Sequence, residues 1–104
     1  MEVTDNADAH RYELRIDGAD GDVAGYVEYH DRGNRRALNH TVIEPAYEGQ
    51  GLGSQLARAV LDDIRARGLD LLPYCPFIRS FIARHRDEYV DLVPEADRAQ
   101  FELG

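Results

Sequence analysis

The sequence predicts an α+β domain in which an antiparallel meander is followed by a β-α-β-α run, giving a mixed central sheet. Three observations carry this. Alternating apolar residues are broken by Gly/Asp/Asn turn clusters, as in hairpin-connected strands. Leu56, Val60 and Ile64 then repeat at spacing four, the period of a buried helix face. Between that helix and a second one lies a short apolar stretch, so the chain makes a strand–helix–strand crossover, which requires parallel pairing.

Taken in order, residues 1–9 are acidic and polar and read as a flexible N-terminal tail. Tyr12–Ile16 alternates as a first strand, Asp17–Asp22 is a turn cluster, and Val23–His30 is a second strand. Asp31–Asn34 turns the chain into a third strand, Arg36–Ile43, which Pro45 ends. A helix is expected over Leu52–Arg67, with Arg65 and Arg67 in its last turn and Gly68 just beyond it. Leu69–Cys75 reads as a strand. Pro76–Arg86 reads as a helix with proline in its first turn and Phe77, Ile78, Phe81, Ile82 and His85 on one face. Tyr89–Val93 has the pattern of a last strand, and residues 94–104 that of a tail or short helix. The domain proper is expected over residues 10–93.

With 104 residues the chain holds one domain and one core. A net charge of −8 argues against nucleic acid, which needs a basic face, and all 12 basic residues are arginine. No apolar run approaches the length of a membrane span. The acidic start lacks the pattern of a secretory or transit peptide, so cytoplasmic residence is the expectation. Cys75 is the single cysteine, which excludes an intrachain disulfide and a cysteine-based zinc cluster. The four histidines show no ligand spacing, so no metal site is expected.

The strongest chemical signal is Tyr47-Glu-Gly-Gln-Gly-Leu-Gly-Ser-Gln-Leu56, with glycines at 49, 51 and 53 opening the first helix. Glycines let the backbone pass close to a bulky anion, and the helix start supplies unpaired N–H groups and the positive end of the dipole. The plain alternative is a sharp strand-to-helix turn. A nucleotide P-loop needs a lysine, which this chain lacks. A dinucleotide fingerprint needs Gly-x-Gly-x-x-Gly, and here the third glycine falls one position early.

The segment Glu48-Gly49-Gln50-Gly51-Leu52-Gly53 resembles the acetyl-CoA loop of the GNAT acetyltransferase superfamily, Gln/Arg-x-x-Gly-x-Gly/Ala, departing from it at Glu48. A closer resemblance is to short, single-domain GNAT-like N-acetyltransferases. It rests on His40-Thr41-Val42-Ile43, the glycine loop, Cys75-Pro76-Phe77-Ile78, and Arg84-His85 with Glu88-Tyr89 downstream. The resemblance covers roughly residues 10–93 and implies a minimal GNAT-like fold. Acetyl-CoA would be cosubstrate, its pyrophosphate held by the main chain of Gly49, Gln50, Gly51, Leu52, Gly53 and Ser54. Val42 and Ile43 would bond the pantetheine arm, and a primary amine of a small molecule or protein would be the acceptor. The acceptor-shaping N-terminal helices of full-size members have no counterpart. Where those enzymes carry a tyrosine acid on the last helix, this chain has Phe81 and Ile82, which leaves Tyr89 as substitute.

Two residues are candidates for catalysis. Cys75 directly precedes a helix N-terminus, where the dipole favours a thiolate. It is a nucleophile that takes the acetyl group first, a bystander beside the reacting centre, or simply a small core residue. His40 shares a strand face with Leu38 and Val42 as the strand is read, which suits a core histidine. An imidazole also suits deprotonation of an ammonium acceptor. Ser54 adds a donor to the loop or caps the helix. The leading expectation is an acetyl-CoA-dependent N-acetyltransferase working by direct attack. The alternative is a non-catalytic acyl-CoA-binding or regulatory module.

Overall fold

The computed structural model describes residues 1–18 and 21–104. Five strands form one sheet in chain order: β1 (Glu2–Asn6), β2 (Arg11–Arg15), β3 (Val23–Arg32), β4 (Arg35–Ile43) and β5 (Asp70–Pro73). The first four are antiparallel neighbours, and β5 lies parallel to β4. The crossover between β4 and β5 is α1 (Leu52–Ala66); α2 (Pro76–Arg84) and a single turn, α3 (Arg86–Tyr89), follow β5. The α+β architecture with a mixed sheet is thus the expected one.

The core forms because two periodicities meet. Leu14, Val27 and Leu38 come from one face of three strands, and Leu56, Val60, Leu61 and Ile64 from one stripe of α1; all are fully buried. Ile78, Phe81 and Ile82 of α2 complete the same cluster. Truncating one such leucine removes about 2–5 kcal/mol. The other sheet face is polar, with Arg11, Arg15, Glu28 and His40 along it and Glu13 buried among them. Burial works against the Glu13 charge. Hydrogen bonds from Arg11 (2.7 Å), Arg15 (2.8 Å) and Asn6 (3.3 Å) outweigh it and hold the carboxyl below its ordinary pKa.

Four expectations need correction. Residues 2–6 of the expected tail are β1, paired along its whole length with β2. Its acidic composition hid it, because Asp5 is a partner of the buried Arg36 and of the Tyr29 hydroxyl. Tyr89–Val93 is not a strand: Tyr89 ends α3 and Val90–Leu92 is a 3-10 turn. The second helix stops at Arg84, where His85 leaves helical geometry (φ −127°, ψ 44°). Residues 94–104 hold one 3-10 turn, Glu95–Asp97, and then fold back so that Phe101 and Leu103 are buried. The expected turn at 17–22 has its centre, residues 19 and 20, outside the described residues; at its rim the Ile16 N–H bonds the Asp22 carbonyl.

Candidate active site

The sheet forks. β5 pairs only with Arg35–Leu38, and the last bond across the gap runs from the Cys75 N–H to the Leu38 carbonyl, 2.9 Å. Beyond it the chain turns into α2, so residues 39–43 of β4 have no strand on that side. At the apex β4 carries a bulge: Tyr29 opposes Leu38 but Glu28 opposes His40, leaving Asn39 as the extra residue.

That bulge shifts the alternation by one and decides two of the expected roles. His40 was expected on the core face with Leu38. It is instead exposed on the polar face, opposite Glu28, while Leu38 is fully buried. For the main chain, the Glu44 N–H bonds the Ala24 carbonyl at 2.8 Å, so alternation turns Val42 toward β3 as well. The free N–H and C=O groups at the fork are those of Thr41 and Ile43. Ile43 therefore has the expected orientation, Val42 does not, and Thr41 takes its place. The one signal in the sequence was the polar pair Asn39-His40 interrupting an apolar strand.

Thr41 points to the core side, where its Oγ1 lies 3.2 Å from the Cys75 Sγ in a hydrogen bond. Cys75 is 3% exposed and is the N-cap of α2, with Pro76 following it and its carbonyl accepting the Arg79 N–H. The two candidate catalytic side chains thus lie on opposite faces of the sheet at one fork, and no hydrogen bond joins them among the described residues.

The glycine loop closes the other side. A 3-10 turn at Pro45–Tyr47 leads into it, and Gly49 (φ +81°) and Gly51 (φ +73°) take the left-handed conformation that glycine adopts without strain. Gly51 is the N-cap of α1, and the first helical bond is from the Gln55 N–H to the Gly51 carbonyl. The N–H groups from Gly49 to Ser54 therefore have no acceptor among the described residues. Ser54 is not the cap; it lies exposed within the first turn, which contains no acidic residue. Gln50 is exposed too, as is Glu48, whose carboxylate makes no hydrogen bond among the described residues.

Gly53 has a different reason to be glycine. A Cβ there would come within 2.9 Å of the Phe77 ring, so the third glycine lets the starts of α1 and α2 approach each other. Both helix N-termini then sit at the carboxyl ends of parallel strands, the usual ligand position in such sheets.

The expected substitute acid is elsewhere. Tyr89 is buried, donates to Asp62 (2.7 Å) and accepts from Arg58 (3.1 Å); burial and the Asp62 bond raise its pKa. Phe81 and Ile82 are core residues, and His85 stacks on Phe81 with ring centroids 4.4 Å apart. Tyr74, missed by sequence reasoning, stands half exposed beside Cys75 with its ring edge-on to Phe101. Among the described residues no group of His, Cys, Asp or Glu is arranged to hold a metal, and no helix is long and apolar enough to cross a membrane.

Comparison with known proteins adds an independent line. Residues 11–92 match the family described as GCN5-related N-acetyl-transferase. The chain resembles the solution structure of a GCN5-like protein from Staphylococcus aureus, with 21% identity over 89% of this chain and 87% of that one, TM-score 0.63. It also resembles the ribosomal-protein-S18-alanine N-acetyltransferase from Escherichia coli, with 24% identity over 59% of this chain and 38% of that one, TM-score 0.51. These two likenesses concern the fold. No curated protein matches the sequence.

Proposed function

Because the chain belongs to the GCN5-related N-acetyltransferase family, we propose that its sheet fork binds acetyl-CoA and transfers the acetyl group directly to a primary amine. The observation that carries this is the unbroken run of free N–H groups from Gly49 to Ser54 at the start of α1. A loop with no acidic residue in the helix's first turn and left-handed glycines fits a pyrophosphate, since main-chain donors and the helix dipole act together on an anion. Gly49, Gln50, Gly51, Leu52, Gly53 and Ser54 would hold that group. Thr41 and Ile43 would bond the amides of the pantetheine arm along the open edge of β4.

Acetyl-CoA supplies an acetyl thioester, which an uncharged amine can attack. His40, on the exposed face, takes the proton from the acceptor's ammonium so that the C–N bond forms as the C–S bond breaks. Glu28 is its exposed register partner on β3. The proton that the new amide nitrogen sheds passes through water to the departing thiolate, because Tyr89 is committed to Asp62 and Arg58. Cys75, buried and bonded to Thr41, positions that strand residue rather than acting as nucleophile. Family membership favours this enzyme over a module that only binds acyl-CoA. The reading carries a cytoplasmic setting with it.

Calorimetry with CoA and intact mass after mixing with acetyl-CoA test it together. The wild type is expected to bind CoA, and Gly51→Val at least tenfold more weakly, because a β-branched residue resists positive φ. The mass is expected to stay unchanged. One added acetyl group, absent from Cys75→Ala, would replace direct attack by the covalent route; a wild type that binds no CoA would end the reading.

A further inference from the structure

On the exposed sheet face, next to the bulge, lies a cleft of about 250 Å³ lined by His30, Arg32, Ala37, Asn39, Leu72 and Tyr74. Its floor follows from the register: His30 opposes Ala37, and Ala37 opposes Leu72, so one row across β3, β4 and β5 supplies two apolar residues flanked by an imidazole. Asn39, the extra residue of the bulge, closes the end nearest His40 and Glu28. Tyr74 forms a wall where β5 turns toward Cys75. The opposite end is Arg32, exposed and in no ion pair among the described residues.

The charges around this cleft differ from those of the whole chain. None of its six lining residues is a carboxylate, although the net charge is −8. Asp31 is turned to the other face, where it grips Arg36 through both oxygens at 2.8 and 2.9 Å. Arg35 is the register partner of both Arg32 and Asp70 but does not line the cleft. Arg32 is thus the cation lining one end, while Glu28 stands with His40 at the other. Glu28 and Arg32 lie four positions apart on β3, about 13 Å of strand.

From this polarity we infer that the cleft is the acceptor site and that the acceptor is a small amine with a carboxylate several bonds from its nitrogen. This rests on the acetyl-transfer reading above. The ammonium end meets Glu28 and His40, the methylene chain lies on Ala37 and Leu72 against the Tyr74 ring, and the carboxylate meets the Arg32 guanidinium. A diamine would set a second cation beside Arg32 and His30, and a plain alkylamine would forgo the charge-assisted bond.

The test is an NMR titration of ¹⁵N-labelled protein, first with CoA and then with 6-aminohexanoate, n-hexylamine or 1,6-diaminohexane. CoA shifts at Gly49–Ser54 report the cofactor reading by themselves. For the acceptor, 6-aminohexanoate is expected to shift the amides of His30, Arg32, Asn39, Leu72 and Tyr74, and to bind about tenfold or more tightly than n-hexylamine. Arg32→Ala, at an exposed position, is expected to bring that ratio close to one. CoA shifts at the loop combined with acceptor shifts away from the cleft would overturn this inference while leaving the transfer reading intact. So would equal binding of the three amines, or an Arg32→Ala ratio like that of the wild type.

Discussion

The two ends of α1 are built on opposite plans. At its C-terminal end every charged group is answered. Tyr12 donates to Asp63 at 2.6 Å, and Arg67 bonds Asp63 and pairs with Asp5. Below them the buried Arg36 bonds Asp31, the Tyr12 hydroxyl and Asp5, with its guanidinium 3.9 Å from the Tyr29 ring centre. At the N-terminal end there is no side-chain cap, and a run of N–H groups has no acceptor among the described residues. One helix thus has a satisfied end and an open one. Its tail is pinned to β1, β2 and β4 by a satisfied polar network, which holds the head with its donors unspent.

The contrast breaks most visibly at Arg36. Arg36→Ala leaves Asp5, Asp31 and Tyr12 without their buried cation and is expected to lower unfolding stability by about 3–5 kcal/mol in urea titrations. Under conditions where the variant stays folded, CoA affinity should change by less than about twofold, an energy below about 0.5 kcal/mol. A larger change would mean that the two ends are coupled.

Alkali should attack the same end. Burial, and then the hydrogen bond to Asp5, pushes the Tyr29 pKa up to about 12; burial and Asp63 push Tyr12 higher still. A raised folded-state pKa means the stability is complete below the free tyrosine value near 10 and is lost as pH climbs through the folded value. Ultraviolet absorbance should therefore show these tyrosines ionising together with the loss of circular dichroism, between about pH 10 and 12. Ionisation well before unfolding would show the network to be loose. On the acid side the sign reverses: hydrogen bonds from Arg36 depress the Asp31 pKa, so its contribution is present above about pH 4 and fades below it.

The smallest effect sharpens the division within the open end. Gly53→Ala should cost about 1 kcal/mol or less in thermal unfolding, because the Phe77 ring is partly exposed and can turn aside. Adding Phe77→Ala should relieve the contact, so that the double variant gains what the sum of the single effects does not predict. Additive effects would mean that the Phe77 contact is not what requires glycine at position 53.

Much of this molecule was legible in the chain. The period of Leu56, Val60 and Ile64 is intrinsic to an α-helix with one buried face, and Gly68 marks its end. The loop at Gly49–Gly53 could be placed and its chemistry stated, because left-handed glycines and a helix start act locally. β1 was illegible because Asp5 finds its partners 24 and 31 positions away, in Tyr29 and Arg36. Tyr89–Val93 reads as a strand from its alternation, and only the folded chain puts Tyr89 at the end of α3 and Val90–Leu92 in a 3-10 turn.

The sequence by itself determined the α+β class, the two longer helices and the glycine loop that opens the first of them, since each depends on neighbours within a few residues. Only the tertiary structure decided which groups face the fork. A single extra residue, Asn39, reverses every later side chain and amide of β4, and its position is set by pairing with β3 rather than by any local preference. That one slip exposes His40, turns Val42 away, and gives Thr41 both the free edge and the contact with Cys75.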